Sequence, residues 1–145
     1  MNRMEKNILA LDLGKGSLGI ALSRSGMFVN LLPELRFKAG DYKSAIQGLK
    51  DALFGETIEN IAIGWPLYPS GDPCEMTPIV EAFIPKVQDA FPNAKITKVD
   101  ERNSTVEAAV LLHEIGLNAK KQKRCIDSAA AGVILKRYLA LIGQD

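Results

Sequence analysis

The sequence has few of the residues that build disulfide scaffolds and zinc sites. It contains two cysteines, Cys74 and Cys125, and a single histidine, His113. Because a zinc site needs about four nitrogen or sulfur ligands, this content excludes one. Two cysteines so far apart in the chain are typical of reduced thiols rather than of a disulfide. His113 falls near the end of a predicted helix, where interaction with the last backbone carbonyls is its simplest role.

The sequence also lacks a long hydrophobic run and a strong excess of charge. The N-terminal run ILALDLG is too short for a signal peptide or a membrane span, so we expect a cytoplasmic protein without membrane contact. The net charge is only +1, which gives no overall indication of a polyanionic partner. The chain has 145 residues, of which 47% are apolar and 24% charged, so residues 1–145 are expected to form one domain.

Apolar runs and turn residues predict three strands, followed by helices that alternate with strands. A hairpin followed by this alternation predicts an α/β fold with a mixed five-stranded sheet, antiparallel across its first three strands and parallel thereafter. The helices would cover both faces of the sheet. The predicted strands span 8–14, 17–23, 27–37, 60–66 and 94–101, and the predicted helices span 41–54, 77–91, 103–116 and 125–142.

Several local signals refine these elements. Pro33 inside the third strand indicates an edge position or a bulge. Ser104 and Glu107 have the spacing of a capping box at a helix start, and Pro85 predicts a kink in the helix over 77–91. The apolar stripe of the helix over 41–54 comprises Ala45, Ile46, Leu49, Leu53 and Phe54.

Acidic residues stand at the ends of predicted elements. Asp12 closes the first strand, Asp100 and Glu101 close the last, and Asp127 lies near the start of the final helix. Each has a simpler explanation alone, as a turn residue or as an acid in the first turn of a helix. Ligands of open α/β sheets gather at the carboxyl ends of the strands, so together these acids could converge.

Converging carboxylates need protons or a cation. Two unit charges about 4 Å apart repel by about 4 kcal/mol at an effective dielectric near 20. Hard oxygen ligands without histidine favour Mg²⁺ or Mn²⁺, and a pair of such ions can support phosphodiester cleavage. Basic residues would then contact substrate phosphates: Lys15 in the first turn, and Lys120, Lys121, Lys123 and Arg124 in the run KKQKR.

Four segments, in this order and spacing, resemble the YqgF (RuvX-type) family of the ribonuclease H-like superfamily. They are LALDLGKGSLGIALS (9–23), IAIGWPLYPSG (61–71), VDERNSTVEA (99–108) and KKQKRCIDSAAAGVILKRYL (120–139). They correspond to the family's D-x-G turn, its G-x-P loop, its D-E-R-x-[ST]-T strand end and its basic run before an aspartate-bearing helix. The resemblance covers nearly the whole chain and implies a ribonuclease H-like fold.

The resemblance also implies a nuclease site built from Asp12, Glu101 and Asp127, which would bind Mg²⁺ or Mn²⁺, most simply as two ions. The family's glutamate aligns with Glu101, and Asp100 is the reserve ligand. Arg102 and Thr105 match the rest of that motif and could contact substrate phosphate or orient the carboxylates, a role shared with the lysines and arginine named above.

The chain departs from the family pattern at two positions. Lys15-Gly16-Ser17 follows the D-x-G turn, where the family usually has a threonine–lysine or a lysine–arginine pair. Arg24 stands where the family often has an aspartate. Neither departure affects the three acids of the implied site.

Family members are regarded as nucleases that process the 5′ end of precursor 16S ribosomal RNA, and an older description is Holliday-junction resolvase. The resemblance therefore implies a nucleic-acid partner, either structured RNA, in precursor ribosomal particles, or branched DNA. A resolvase must cut symmetrically and would be a two-fold dimer, whereas an RNA nuclease could be a monomer or a homodimer. Two further hypotheses are a nucleotide-binding ATPase module, suggested by the D-x-G turn, and a non-catalytic RNA-binding module.

Overall fold

A computed structural model of the chain describes residues 4–115 and 123–144. None of its helices is long and apolar enough to cross a membrane. The strands are β1 (Ile8–Leu13), β2 (Ser17–Ser23), β3 (Asn30–Arg36), β4 (Asn60–Trp65) and β5 (Lys95–Asp100). The helices are α1 (Tyr42–Ala52), α2 (Met76–Ala90), α3 (Thr105–Ile115), α4 (Lys123–Ile126) and α5 (Ala129–Leu141).

The five strands form one mixed sheet in the order β3-β2-β1-β4-β5. β2 is antiparallel to β1 and to β3, while β4 is parallel to β1 and to β5. This confirms the predicted mixed sheet with its antiparallel and parallel parts. The carboxyl ends of β1, β3, β4 and β5 consequently lie along the same edge, because the antiparallel β2 is the only strand that runs the other way among those described.

The two faces of the sheet differ in the size of their side chains. One face carries large aliphatic side chains, among them Leu9, Leu11, Leu13, Ile61 and Ile63, which pack against Leu49 of α1 and Phe83 of α2. The opposite face carries Ala10, Ala21 and Ala62, against which α5 packs with Ala131, Ile134, Leu135 and Tyr138. Small residues on this face bring α5 close to the sheet. With α1 and α2 on one face and α5 on the other, helices cover both faces, as the sequence predicts.

The predicted helix over 125–142 is wrong in one respect, because a turn at Asp127 and Ser128 separates α4 from α5. Ser128 is fully buried, and its Oγ accepts a hydrogen bond of 3.1 Å from the backbone N–H of Ile20. Ile20 lies where the register of β2 against β3 shifts. The turn thus satisfies a backbone donor at an irregular point of the sheet, and it fixes the start of α5 over β2.

Two other local predictions are also wrong. Phe54 is 92% exposed, because α1 ends at Ala52 and the chain turns away before the predicted stripe is complete. Glu107 does not close a capping box with Ser104. Its carboxylate accepts a hydrogen bond of 2.9 Å from Nε of Arg137 instead. An ion pair to a neighbouring helix has replaced the local interaction that the spacing favours.

We predict that Ser128→Ala lowers the free energy of unfolding by about 1–3 kcal/mol, because it leaves the buried N–H of Ile20 without its acceptor. Urea unfolding at 25 °C measures this change. Ser70→Ala is the matched control, since Ser70 is exposed, and it should change stability by less than about 0.5 kcal/mol. Equal effects of the two substitutions would contradict the role given to Ser128.

Candidate active site

Asp12 and Glu101 approach each other on the face of the sheet that α5 covers. Leu11 and Leu13 point to the α1–α2 face, so the alternation of β1 turns Asp12 toward α5. Val99 packs on the α5 face, and two residues later Glu101 follows it at the end of β5. Between the two acids, β4 contributes Gly64. A Cβ built there would lie only 2.7 Å from Oε2 of Glu101, so the carboxylate occupies the space that a side chain would fill.

The environment of Glu101 favours its protonated form. Burial, followed by the charge of Asp12 and a hydrogen bond with Asp12, raises the pKa of Glu101 to about 8. Cys74 and Asp100 raise this pKa further, by smaller amounts. At neutral pH without a cation, Glu101 therefore retains its proton beside Asp12. Two adjacent hard oxygen donors that retain a proton in this way are suited to a divalent cation, which would replace the proton.

Asp100 is held outside this pair. It is exposed, and its carboxylate accepts hydrogen bonds of 2.9 Å from the backbone N–H and from Nε of Arg102. These contacts lower the pKa of Asp100. Asn103 completes the turn with a left-handed φ of 57°. The sequence leaves the choice between the two adjacent acids to the family alignment, and the structure places Glu101, not Asp100, beside Asp12.

A residue that sequence reasoning missed, Arg137 of α5, holds the turn after β5. Its Nη1 donates a hydrogen bond of 2.8 Å to the carbonyl oxygen of Asp100, and its Nε bonds to Glu107 of α3. One guanidinium therefore links α5, α3 and the backbone residue that precedes Glu101. Nothing in the local sequence pattern distinguishes Arg137 from a solvated helix residue, so only the tertiary arrangement reveals it.

Asp127 lies on the same face, but it contacts a different partner. Its side chain is 49% exposed, and its Oδ2 lies 3.5 Å from Nη2 of Arg36. Nε of Arg36 also lies 3.2 Å from Oε1 of Glu34. Burial, together with the charges of Asp127 and Asp12, raises the pKa of Glu34, although Arg36 opposes the shift. Glu34 is thus a further carboxyl beside Asp127, and sequence reasoning missed both it and Arg36.

The acids of the described residues do not form a complete set of metal ligands. No three histidine, cysteine, aspartate or glutamate side chains in residues 4–115 and 123–144 stand close enough together to hold an ion. The arrangement is instead a close pair, Asp12 and Glu101, with Asp127 nearby and in contact with Arg36. Of the three predicted ligands, the structure brings two into contact and places the third on the same side of the sheet.

The predicted phosphate-binding residues differ in the contacts that they make. Nζ of Lys15 lies 3.4 Å from Glu75, with both side chains largely exposed. Arg102 is bound to Asp100, as described, and also donates to the carbonyl oxygen of Pro69. Thr105 is exposed at the first position of α3. Lys120 and Lys121 lie outside the described residues, and for Lys123 and Arg124 only the backbone position in α4, just before Asp127, is described.

We predict that metal-free protein becomes less stable as the pH rises, because Glu101 has a pKa of about 8 when folded and an ordinary value of 4.5 when unfolded. The folded state favours the proton, so the contribution of Glu101 to stability is greatest below pH 4.5 and falls as the pH rises toward 8. Glu101→Gln should remove this loss and stabilise the protein at pH 8 by roughly 1–3 kcal/mol. Urea unfolding in EDTA at several pH values measures the effect.

Glu81→Gln is the control for this experiment, since Glu81 is an exposed carboxylate on α2. The control should follow the pH dependence of the parent. If Glu101→Gln retained that dependence, the paired carboxyls would not be its source.

The sequence of the chain matches a known family over most of its length. Residues 6–141 match the model of the RuvX family, which is described as Holliday junction resolvase. A relative from Chlorobium phaeobacteroides (strain BS1), named "Putative pre-16S rRNA nuclease", is 34% identical over 95% of this chain and 94% of its own. A relative of the same name from Mycoplasmopsis pulmonis (strain UAB CTIP) is 35% identical over 90% of both chains.

Solved structures agree on the fold. RuvC of T. thermophilus in complex with Holliday junction substrate superposes with a TM-score of 0.61 at 13% identity, over 97% of this chain and 98% of that one. A second structure of RuvC from Thermus thermophilus gives a TM-score of 0.55 at 14% identity, over 94% and 96% of the two chains. The predicted ribonuclease H-like fold is therefore confirmed, and the match over residues 6–141, together with relatives more than 30% identical along nearly their full lengths, shows that this chain belongs to the RuvX family.

Proposed function

We propose that the chain is a divalent-metal-dependent endonuclease that hydrolyses phosphodiester bonds, acting in 5′-end processing of precursor 16S ribosomal RNA. The observation that carries this proposal is the half-buried Asp12–Glu101 pair, which forms across β4 at the carboxyl edge of the sheet, on the face that α5 covers. Family membership and the names of the relatives support the nuclease activity and the RNA substrate.

The cation would be Mg²⁺ or Mn²⁺, held by Asp12 and Glu101, with Asp127 as the third ligand. Their oxygen donors suit a hard cation, and such a cation would replace the proton that Glu101 retains beside Asp12. When bound, the ion supplies Lewis-acid stabilisation of charge on the phosphodiester. The chain itself supplies the rest: partial burial raises the pKa of Glu101, and Gly64 leaves room for its carboxylate.

A second candidate substrate is branched DNA. The family description is Holliday junction resolvase, and the chain shares its fold with a RuvC in complex with a Holliday junction. A resolvase would form a stable two-fold dimer, so light scattering and a direct comparison of four-way junction DNA with precursor 16S RNA separate the two substrates. Faster cleavage of the junction by a stable dimer would favour the resolvase.

We expect Asp12→Asn to abolish Mg²⁺-dependent cleavage of precursor 16S RNA while the fold is retained, because the variant loses one charge of the cation-binding pair. It should also lose the increase in melting temperature that Mg²⁺ gives to the parent. Cleavage assays on labelled RNA and thermal unfolding with and without Mg²⁺ measure these effects. Asp89→Asn, at the end of α2, is the control and should behave as the parent. Parental cleavage by Asp12→Asn would refute the proposed mechanism.

We expect Gly64→Ala to lower kcat by about 10–100-fold, since displacing a reacting group by about 1 Å can have this effect. The new methyl would meet Oε2 of Glu101 at 2.7 Å and Cδ1 of Ile134 at 2.6 Å, both at the ends of flexible side chains. The fold should therefore survive while the carboxylate moves. Gly48→Ala in α1 is the control, because its methyl meets only Leu35, at 3.4 Å or more. Unchanged kcat in Gly64→Ala would contradict the position assigned to Glu101.

A further inference from the structure

Arg36 lies at the carboxyl end of the edge strand β3, beside the acids of the candidate site. It contacts Glu34 on its own strand and Asp127 in the turn before α5. β3 ends along the edge at which β1 and β5 deliver Asp12 and Glu101. The guanidinium therefore faces the place at which a nucleic-acid strand would approach the acids.

An irregularity in β3 places Arg36 there. In a regular strand, residues 32, 34 and 36 would share one face, and Leu32 packs on the α1–α2 side. The register of β2 against β3 shifts around Pro33, so Leu32 and Leu35 both face that side. Glu34 and Arg36 are thereby turned toward α5 and Asp127. The sequence predicts a bulge or an edge at Pro33, and the structure reveals its consequence for the two charged residues.

The contacts of Arg36 are weak compared with those of the other guanidiniums near the site. Its distances to Glu34 and Asp127 are 3.2 and 3.5 Å, longer than the roughly 2.7–2.9 Å of charge-assisted hydrogen bonds. Arg102 and Arg137 form close ion pairs, and both also bind a backbone carbonyl. The Arg36 side chain is 76% exposed, against 32% and 21% for the other two. Of the guanidiniums described near the acids, Arg36 is thus the one whose donors face solvent most openly.

Glu34 holds the guanidinium of this exposed arginine in position. Its side chain is only 15% exposed, so it is held by the fold while the guanidinium that it contacts reaches into solvent. Asp127, at 49% exposed, is the more accessible of the two acidic partners. An incoming anion would therefore displace Asp127 from Arg36 more readily than it would displace Glu34.

We propose that Arg36 binds a backbone phosphate of the nucleic-acid substrate, and that this phosphate replaces Asp127 as the partner of the guanidinium while Glu34 keeps it in place. Arg36 is then a substrate-binding residue of the nuclease. When it exchanges partners, the carboxylate of Asp127 becomes available to bind the cation together with Asp12 and Glu101. The inference rests on the proposed function, because it takes nucleic acid as the substrate. An arginine suits this role since its planar fork of donors matches a phosphate.

Binding of a fluorescein-labelled RNA hairpin, followed by fluorescence anisotropy in EDTA, tests this inference without cleavage or metal. Arg36→Gln should weaken binding by about tenfold at 0.1 M salt and reduce the slope of log K against log salt by about 0.9. Arg36→Lys should recover most of that slope because it keeps the charge. Lys95→Gln is the matched control, since Lys95 is exposed at the start of β5, along the opposite edge of the sheet.

Removing the Asp127 carboxylate, which competes with phosphate for Arg36, distinguishes an exchange of partners at Arg36 from a general electrostatic attraction of RNA to this face. Asp127→Asn should tighten RNA binding more than Asp12→Asn does, although both remove one negative charge from the same face. In the Arg36→Gln background the two substitutions should have equal effects, because no guanidinium remains to be released. Circular dichroism confirms that each variant is folded.

Two results would overturn the inference: an unchanged salt slope in Arg36→Gln, or equal tightening by Asp127→Asn and Asp12→Asn in the parent. Neither result bears on cleavage, which the Asp12→Asn assay measures separately in Mg²⁺. A chain that shows the predicted binding pattern but cuts neither RNA nor junction DNA would instead retain the role of Arg36 and refute the nuclease.

Discussion

The pairing of two carboxyls, Asp12 and Glu101, is the constraint on which the arrangement of this face depends. The pair is unfavourable without a cation, because burial and mutual repulsion raise the pKa of Glu101 to about 8. Side chains on β1 and β5 can meet only if the intervening strand leaves space between them. Gly64 on β4 leaves that space, and α5 closes over it because the face beneath it is lined by alanines. The small residues of this face therefore serve the site as well as the packing of the helix.

Much of this arrangement can be predicted from sequence, because it follows from strand periodicity and from where strands end. The run before Asp12 is apolar, and the strand before Glu101 has Ile96 and Val99 among polar residues, so both acids are predicted at the carboxyl edge of the sheet, where the structure has them. Their contact across β4 could not be derived, since it depends on the order of strands in the sheet. The choice between Asp100 and Glu101 follows from alternation only once Val99 is known to face α5.

The features that could not be predicted arise where tertiary contacts override a local pattern. The apolar run over 125–142 has helical periodicity throughout, yet the chain breaks at Asp127 and Ser128, where Ser128 satisfies Ile20 in a distant strand. Glu107 has the spacing of a capping box, yet Arg137 offers its carboxylate a charged partner. At Pro33 the irregularity is predictable, but its effect on the facing of Glu34 and Arg36 requires the register of β2. In each case a residue more than ten positions away decides the outcome.

The three described guanidiniums near the acids divide into two kinds by the groups that they bind. Arg102 and Arg137 each combine a carboxylate with a backbone carbonyl, so displacing either would leave polar groups of the fold unsatisfied. Arg36 contacts only carboxylates in the described structure, at longer distances and with most of its side chain in solvent. Exchanging one of those anions for another leaves the backbone undisturbed. A basic residue can therefore contact substrate at this site without loosening the turn that presents Glu101, because the turn depends on different arginines.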